Sequence, residues 1–319
     1  MVDCQVCRGQ ERRLTASVEH IDSGRVFNVY SCAGCGLGVL TPMPSKEELT
    51  EYYHNYYTEE GPKERDQSLK EVLKRVLFKG TRHKIGLVRY VCSTLASLSM
   101  QVVLPPPFGQ KRVLEVGCGY GRLLNLFQQQ GWETYGVEPG PQASQLARQR
   151  GHKVFTGELL EAKYQSAFFS SVVFCQSLEH IPNPLEVLLE AYRILSPGGI
   201  LAVDVPNANS IDARFFGSAW DAWVVPYHLY HWTPSSLKKA VTSVGFVPIR
   251  WKYKTPTRHD FKANIEKLRN IEGGTNQGIF THILRTWLLG HLGFKGSRYG
   301  RFMALYSQKP LLIEVFHSV

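Results

Sequence analysis

The sequence predicts an α/β protein, a Rossmann-like sheet with helices on both faces, preceded by a cysteine ribbon and a helical connector. Beyond residue 110, short apolar strands alternate with helical segments, as a parallel sheet with covering helices requires. A glycine turn, Glu115-Val116-Gly117-Cys118-Gly119-Tyr120-Gly121, joins the first of those strands to its helix. Ahead of the sheet, Cys4-Gln5-Val6-Cys7 and Cys32-Ala33-Gly34-Cys35 flank a β-prone stretch from Ser17 to Tyr30.

Composition divides the chain into a ribbon at 1–45, a helical, aromatic and basic connector or lid at 46–110, and the α/β domain at 111–319. Leu104-Pro105-Pro106-Pro107 closes the connector, because proline lacks the N–H that a continuing helix needs. Strands are expected at 112–116, 132–137, 153–156, 171–175, 199–205, 246–252 and 311–316. Helices are expected at 121–130, 141–150, 184–195 and 234–244. Gly131, Gly151 and Pro197-Gly198-Gly199 follow helix ends, while Pro141 and Pro184 sit where a first turn tolerates proline. A helical insertion is expected at about 258–309, between the last two strands.

With 43% hydrophobic and 20% charged residues the chain has the composition of a globular protein, which excludes global disorder. No apolar run reaches the length of a spanning helix and the start lacks a signal-peptide pattern, so a cytoplasmic protein is expected. The net charge of +10, with a pI of about 9.2, favours an acidic partner: a phosphorylated substrate, nucleic acid or an anionic membrane surface. Seven cysteines in such a chain point to metal binding rather than a disulfide framework.

The glycine turn discriminates between cofactors. A dinucleotide fingerprint would place its third glycine at 122, where this chain has Arg122. Glu115 just before the turn would repel a pyrophosphate and suits a cationic ligand, and Glu138 closes the second strand where a carboxylate can accept ribose hydroxyls. The segment resembles motif I of the class I S-adenosylmethionine-dependent methyltransferases. The resemblance continues through Ser177-Leu178-Glu179-His180-Ile181-Pro182-Asn183-Pro184 and Ser196-Pro197-Gly198-Gly199-Ile200-Leu201, and spans roughly residues 110–250. It implies a seven-stranded mixed sheet and S-adenosylmethionine as methyl donor. It further implies that Glu115, Gly117 and Gly119 line the amino-acid end of the donor and Glu138 holds its ribose. Glu158 and Leu159 would lie near the adenine, where the family often carries Asp, with Gln176 and Ser177 facing the methionine portion.

Cys4, Cys7, Cys32 and Cys35 supply four thiolates, the donor set of a closed and therefore structural Zn2+ site. Together with Leu37 to Ser45 and the tyrosines 52, 53, 56 and 57, they resemble a bacterial arrangement in which a zinc ribbon and tyrosine-rich helix precede a methyltransferase domain. Such domains accompany saccharide, cell-envelope or natural-product pathways. The tyrosines suit either capping of an active site or packing between ribbon and core.

Methyl transfer to a hydroxyl or an acidic carbon needs a base, and imidazole suits it. His228 is the first candidate and His231 the second, within Pro226-Tyr227-His228-Leu229-Tyr230-His231-Trp232; His180 is expected mainly to shape its loop. The acceptor is expected to be a small molecule, saccharide or lipid-linked intermediate. An RNA methyltransferase is the alternative, disfavoured by the lack of an Asn/Asp-Pro-Pro-Tyr motif, and a non-catalytic binding protein is a second. Basic amphipathic stretches at 69–79 and 279–292 suit core or dimer contact, or peripheral docking on an anionic membrane.

Overall fold

The computed structural model describes residues 3–20, 23–59, 110–254, 264–267 and 300–311, with backbone alone at 53–59. The basic stripes at 69–79 and 279–292 therefore lie outside the described residues, as does most of the stretch read as an insertion. No helix among the described residues is long and apolar enough to cross a membrane.

The ribbon consists of strands β1 (Arg12–Glu19), β2 (Val26–Cys32) and β3 (Gly38–Thr41), paired antiparallel in that order. Phe27, Val29, Leu37 and Leu40 are fully or almost fully buried, so one face of this small sheet packs inward. Helix α1 (Lys46–Glu59) follows. It starts on a reciprocal cap in which Ser45 Oγ accepts the Glu48 N–H and the Glu48 carboxylate accepts the Ser45 N–H.

The larger sheet begins with β4 (Arg112–Val116), α2 (Arg122–Gln129), β5 (Glu133–Glu138), α3 (Pro141–Gln149) and β6 (Lys153–Thr156). It continues with β7 (Phe169–Cys175), α4 (Pro184–Ile194), β8 (Leu195–Pro206) and the short α5 (Ile211–Phe216). A two-residue strand β9 (Tyr230–His231) precedes α6 (Pro234–Ser243), β10 (Val247–Lys254) and β11 (Phe302–Gln308). The spatial order is β10-β11-β8-β7-β4-β5-β6, parallel from β8 to β6 and antiparallel around β11. This is the expected seven-stranded mixed sheet. Chain direction across the sheet reverses beside β4, and in open α/β sheets a ligand crevice opens at such a switch point.

The last strand among the described residues is Phe302–Gln308; residues 312–319, which carry most of the strand expected at 311–316, lie outside them. Strand β11 pairs antiparallel with both β8 and β10 and is buried on both faces. It also takes the end of the stretch 258–309 that reads as helical insertion. Strand β8 starts four residues early, at Leu195, because Ser196 to Gly199 continue the strand beside the chain end. There Gly198 N–H donates to Lys309 O and Lys309 N–H to Gly199 O.

The ribbon is not a separate unit. Strand β9 adds to β3, matching Gly38 with His231 and Val39 with Tyr230, so residues from the α/β domain complete the ribbon's sheet. At the other end of this segment the start of β11 is anchored by Arg301, almost fully buried, which pairs with Asp212 at 3.1 Å and Asp221 at 2.6 Å.

Candidate active site

The glycine turn lies at the carboxyl end of β4, and its glycines differ in what they face. Gly117 has φ +75°, and a Cβ there would sit 2.6 Å from Ser177 Cβ. Gly119 has φ +50°, and a Cβ there would meet nothing within 4 Å. Gly117 is therefore a packing glycine, whereas Gly119 borders open space. Glu138, 2% exposed, closes the cradle: its carboxylate accepts the N–H of Gly119 and of Gly140, each at 2.8 Å. Glu115 is 4% exposed and one of its oxygens has no hydrogen-bond partner. Burial, then the charge of Glu138, pushes its carboxyl well above the usual range. A buried carboxyl with one unpartnered oxygen, beside an open glycine, suits a cationic ligand group whose charge would favour its ionised form, so these residues fit the donor that motif I implies.

The tip of β7 supplies the opposite wall. Gln176 is exposed and held at φ +54°, an unusual backbone for a non-glycine residue; its amide N–H2 donates to Asp204 Oδ1 at 3.1 Å. The Ser177 hydroxyl donates to Val116 O at 2.6 Å, so it braces the glycine turn. Glu158 is exposed and caps the 3₁₀ turn Leu159–Glu161, with Leu159 buried beneath. Asp204 escaped the sequence reading. It is 3% exposed, and burial raises its carboxyl to about 8, with Lys254 and the Gln176 hydrogen bond opposing. A lone carboxylate inside the apolar run of β8 was the available signal.

All three predicted histidines converge, with Glu179 among them. The 3₁₀ turn Leu178–His180 sets Glu179 and His180 against the segment 222–231. His180, partly exposed, donates its Nδ1–H to Tyr227 O at 2.9 Å, which makes Nε2 the lone-pair nitrogen of the neutral ring. Burial lowers its pKa to about 4. His228, buried, donates Nδ1–H to Ala222 O at 2.9 Å, and its Nε2 lies 4.0 Å from Glu179 Oε1. The two rings meet edge to face at 4.7 Å. His231 packs on Trp223 at 4.8 Å, and its buried Nε2 has no hydrogen-bond partner. Glu179 is 1% exposed, both oxygens lack hydrogen-bond partners, and burial raises its carboxyl to about 8. Ligand-capable atoms of Glu179, His180 and His228 lie within 4.8 Å of one another. Glu179 was legible only as part of its motif, since nothing local says that its turn is buried.

The four ribbon cysteines also converge. Cys4 Sγ lies 3.6 Å from Cys35 Sγ, and Cys7 Sγ lies 3.4 Å from Cys32 Sγ. Tetrahedral zinc at its usual Zn–S bond length would space the sulfurs by ~3.8 Å. Gly9 and Gly34 border the sulfurs, leaving their approach uncrowded.

A family model described as "Methyltransferase domain" matches residues 80–250. A ubiquinone biosynthesis O-methyltransferase of Cereibacter sphaeroides is 27% identical over 187 residues, 51% of this chain and 75% of that protein. Its counterpart in Roseobacter denitrificans is 26% identical over 194 residues, 53% of this chain and 77% of that protein. Among solved structures, an S-adenosylmethionine-dependent methyltransferase of Archaeoglobus fulgidus is similar with a TM-score of 0.47 and 18% identity, covering 69% of this chain and 94% of that one.

Proposed function

Since the chain belongs to the methyltransferase-domain family and is an S-adenosylmethionine-dependent methyltransferase, we propose that its acceptor is a small-molecule hydroxyl and that His180 takes the proton. The observation that carries this reading is the neutral, partly exposed imidazole of His180, whose Nδ1–H is committed to Tyr227 O. A hydroxyl acceptor needs such a base as its oxygen bonds to carbon; an amine acceptor that is already neutral does not. The two curated relatives, both O-methyltransferases, support the same class of acceptor.

When bound, S-adenosylmethionine supplies an electrophilic methyl group. Glu115, Gly117, Gly119 and Glu138 would hold it from the β4 side, Glu158 and Leu159 from the β6 side and Gln176 from β7, with Ser177 bracing the turn. On the acceptor side, His180 Nε2 would take the hydroxyl proton, leaving the oxygen able to accept the methyl that the donor would release from its sulfur. Glu179, within 4.8 Å and kept protonated by burial, lies beside the imidazole that takes up this proton. His228 and His231, buried and turned inward, support this turn rather than meet the acceptor. The cysteine cluster would hold a structural zinc ion. A ring hydroxyl on a phenol, saccharide or lipid-linked intermediate fits this chemistry.

The test is transfer of labelled methyl to catechols, nucleotide sugars and total RNA offered separately. Label in a hydroxyl-bearing small molecule is expected. His180→Gln should lower that rate at least about tenfold and leave the affinity for S-adenosylhomocysteine within about twofold. Label in RNA alone, or an unchanged rate in His180→Gln, overturns the reading.

A further inference from the structure

The segment carrying Tyr227, His228 and His231, called the lid from this point and distinct from the connector at 46–110, is gripped from two sides. On one side lies the ribbon. The Leu40 N–H donates to Leu229 O at 3.0 Å, and β3 pairs with β9 through Gly38 and Val39. On the other lies the buried turn of Glu179 and His180: Leu229 N–H donates to Glu179 O at 2.9 Å, and Tyr227 O accepts from His180 Nδ1. The residue Leu229 thus belongs to one hydrogen-bonded relay, ribbon to lid to turn.

Side chains repeat the arrangement. His20 at the end of β1, Tyr52 of α1 and Tyr227 of the lid form an edge-to-face trio, with centroids 5.5, 6.4 and 6.1 Å apart. The Tyr227 hydroxyl also donates to Tyr52 O at 3.4 Å. Gly38 is small for a reason: a Cβ there would lie 2.9 Å from His231 Cβ and 3.0 Å from Val29 Cγ1. Thr233, just past β9, donates its hydroxyl to the carbonyl of Cys35. An irregular lid gains its backbone partners from both neighbours, and each partner restricts where its carbonyls point.

We infer that the ribbon is a positioning part of the active site: His20 and Gly38 set the lid, and the lid's Tyr227 carbonyl sets the ring orientation and tautomer of His180. The base itself belongs to the reading above, on which this inference rests; the positioning of the ring is separately observable. The ribbon then does more than stabilise the chain, because its contact decides which imidazole nitrogen the acceptor meets. Among the described residues, the titratable groups facing His180 include Glu179 on its own turn and His228 and Tyr227 on the lid, with His20 and Tyr52 behind Tyr227.

The experiment follows 15N-labelled histidine side chains of the full chain by NMR, with the His180 signals assigned by their loss in His180→Gln. In the unaltered protein His180 should stay the neutral Nδ1–H tautomer far below the ordinary histidine range. His20→Ala and Gly38→Val should mix its tautomers and raise its titration midpoint by at least about one pH unit. His20→Phe, which keeps a ring against Tyr52 and Tyr227, should restore the unaltered behaviour. Binding of S-adenosylhomocysteine by calorimetry should stay within about twofold throughout, showing an intact fold. Unchanged His180 tautomer and titration in His20→Ala would overturn the inference, even if Gly38→Val fails to fold. A normal rate in His180→Gln alongside shifted titration in His20→Ala would sink the assignment of the base and leave the positioning standing.

Discussion

Glu179 shows how a single buried side chain ties stability to pH. Its carboxyl rises from an ordinary value of 4.5 to about 8 in the folded protein, chiefly through burial. The folded state therefore holds this proton more tightly than the unfolded chain. The stability this gives is full below about pH 4.5 and is lost as pH rises toward 8. His180 and His228, lowered by burial, act in the opposite sense, losing stability as pH falls through the ordinary histidine range. Glu179→Gln keeps the shape and removes one titration. The variant should gain on the unaltered protein steadily between pH 5 and 8, read as the difference in urea midpoints. A constant offset across that range would show that Glu179 does not titrate there. The sequence displayed Glu179 as one letter of a motif. Its burial, and so its chemistry, came from the packing of the 3₁₀ turn under the lid.

At the scale of elements, the strand-turn-helix from β4 to α2 was the most legible part of the chain. Its glycines, Glu115 and the following helix all lie between Arg112 and Gln129, so local spacing carries the geometry. The sequence could not separate the roles of its glycines, because that depends on what β7 brings opposite them. Gly119→Ala adds a methyl in the left-handed region, costing about 1–2 kcal/mol, and places it in open space. Loss of S-adenosylhomocysteine binding with a modest fall in the urea midpoint is expected. Gly117→Ala meets the same backbone cost and also strikes Ser177, adding about 1–3 kcal/mol of overpacking. The larger loss of stability should fall on Gly117→Ala, and the reverse order would contradict the division of labour. Strand β11 was the least legible. Its run Phe302 to Gln308 is no more strand-like than the residues after it, and pairing with β8 and β10 selects it.

At the scale of the whole molecule, the two sheets share a segment of chain. Strand β9 completes the ribbon's sheet, Leu229 bonds to both sides, and Thr233 reaches Cys35 from a position 198 residues away. Ribbon and α/β domain should therefore unfold together. Replacing Cys4 and Cys35 by serine should remove one zinc per chain, measured by atomic emission. It should also lower the temperature of a single calorimetric transition; two separate transitions would show that the ribbon is independent. The triad of buried Arg301 and Asp212 with partly buried Asp221 belongs to the same scale, joining the start of β11 to α5 and the turn after it. What the sequence determined by itself was the alternation of strands and helices, the cradle after β4 and the fourfold cysteine set, because each rests on spacing between near neighbours. Only the tertiary structure decided that the three histidines converge on Glu179, that Ser177 braces the turn, and that β9 pairs with the ribbon's β3. Those depend on contacts between residues far apart in the chain, and no local pattern of side chains specifies which distant backbone will meet them.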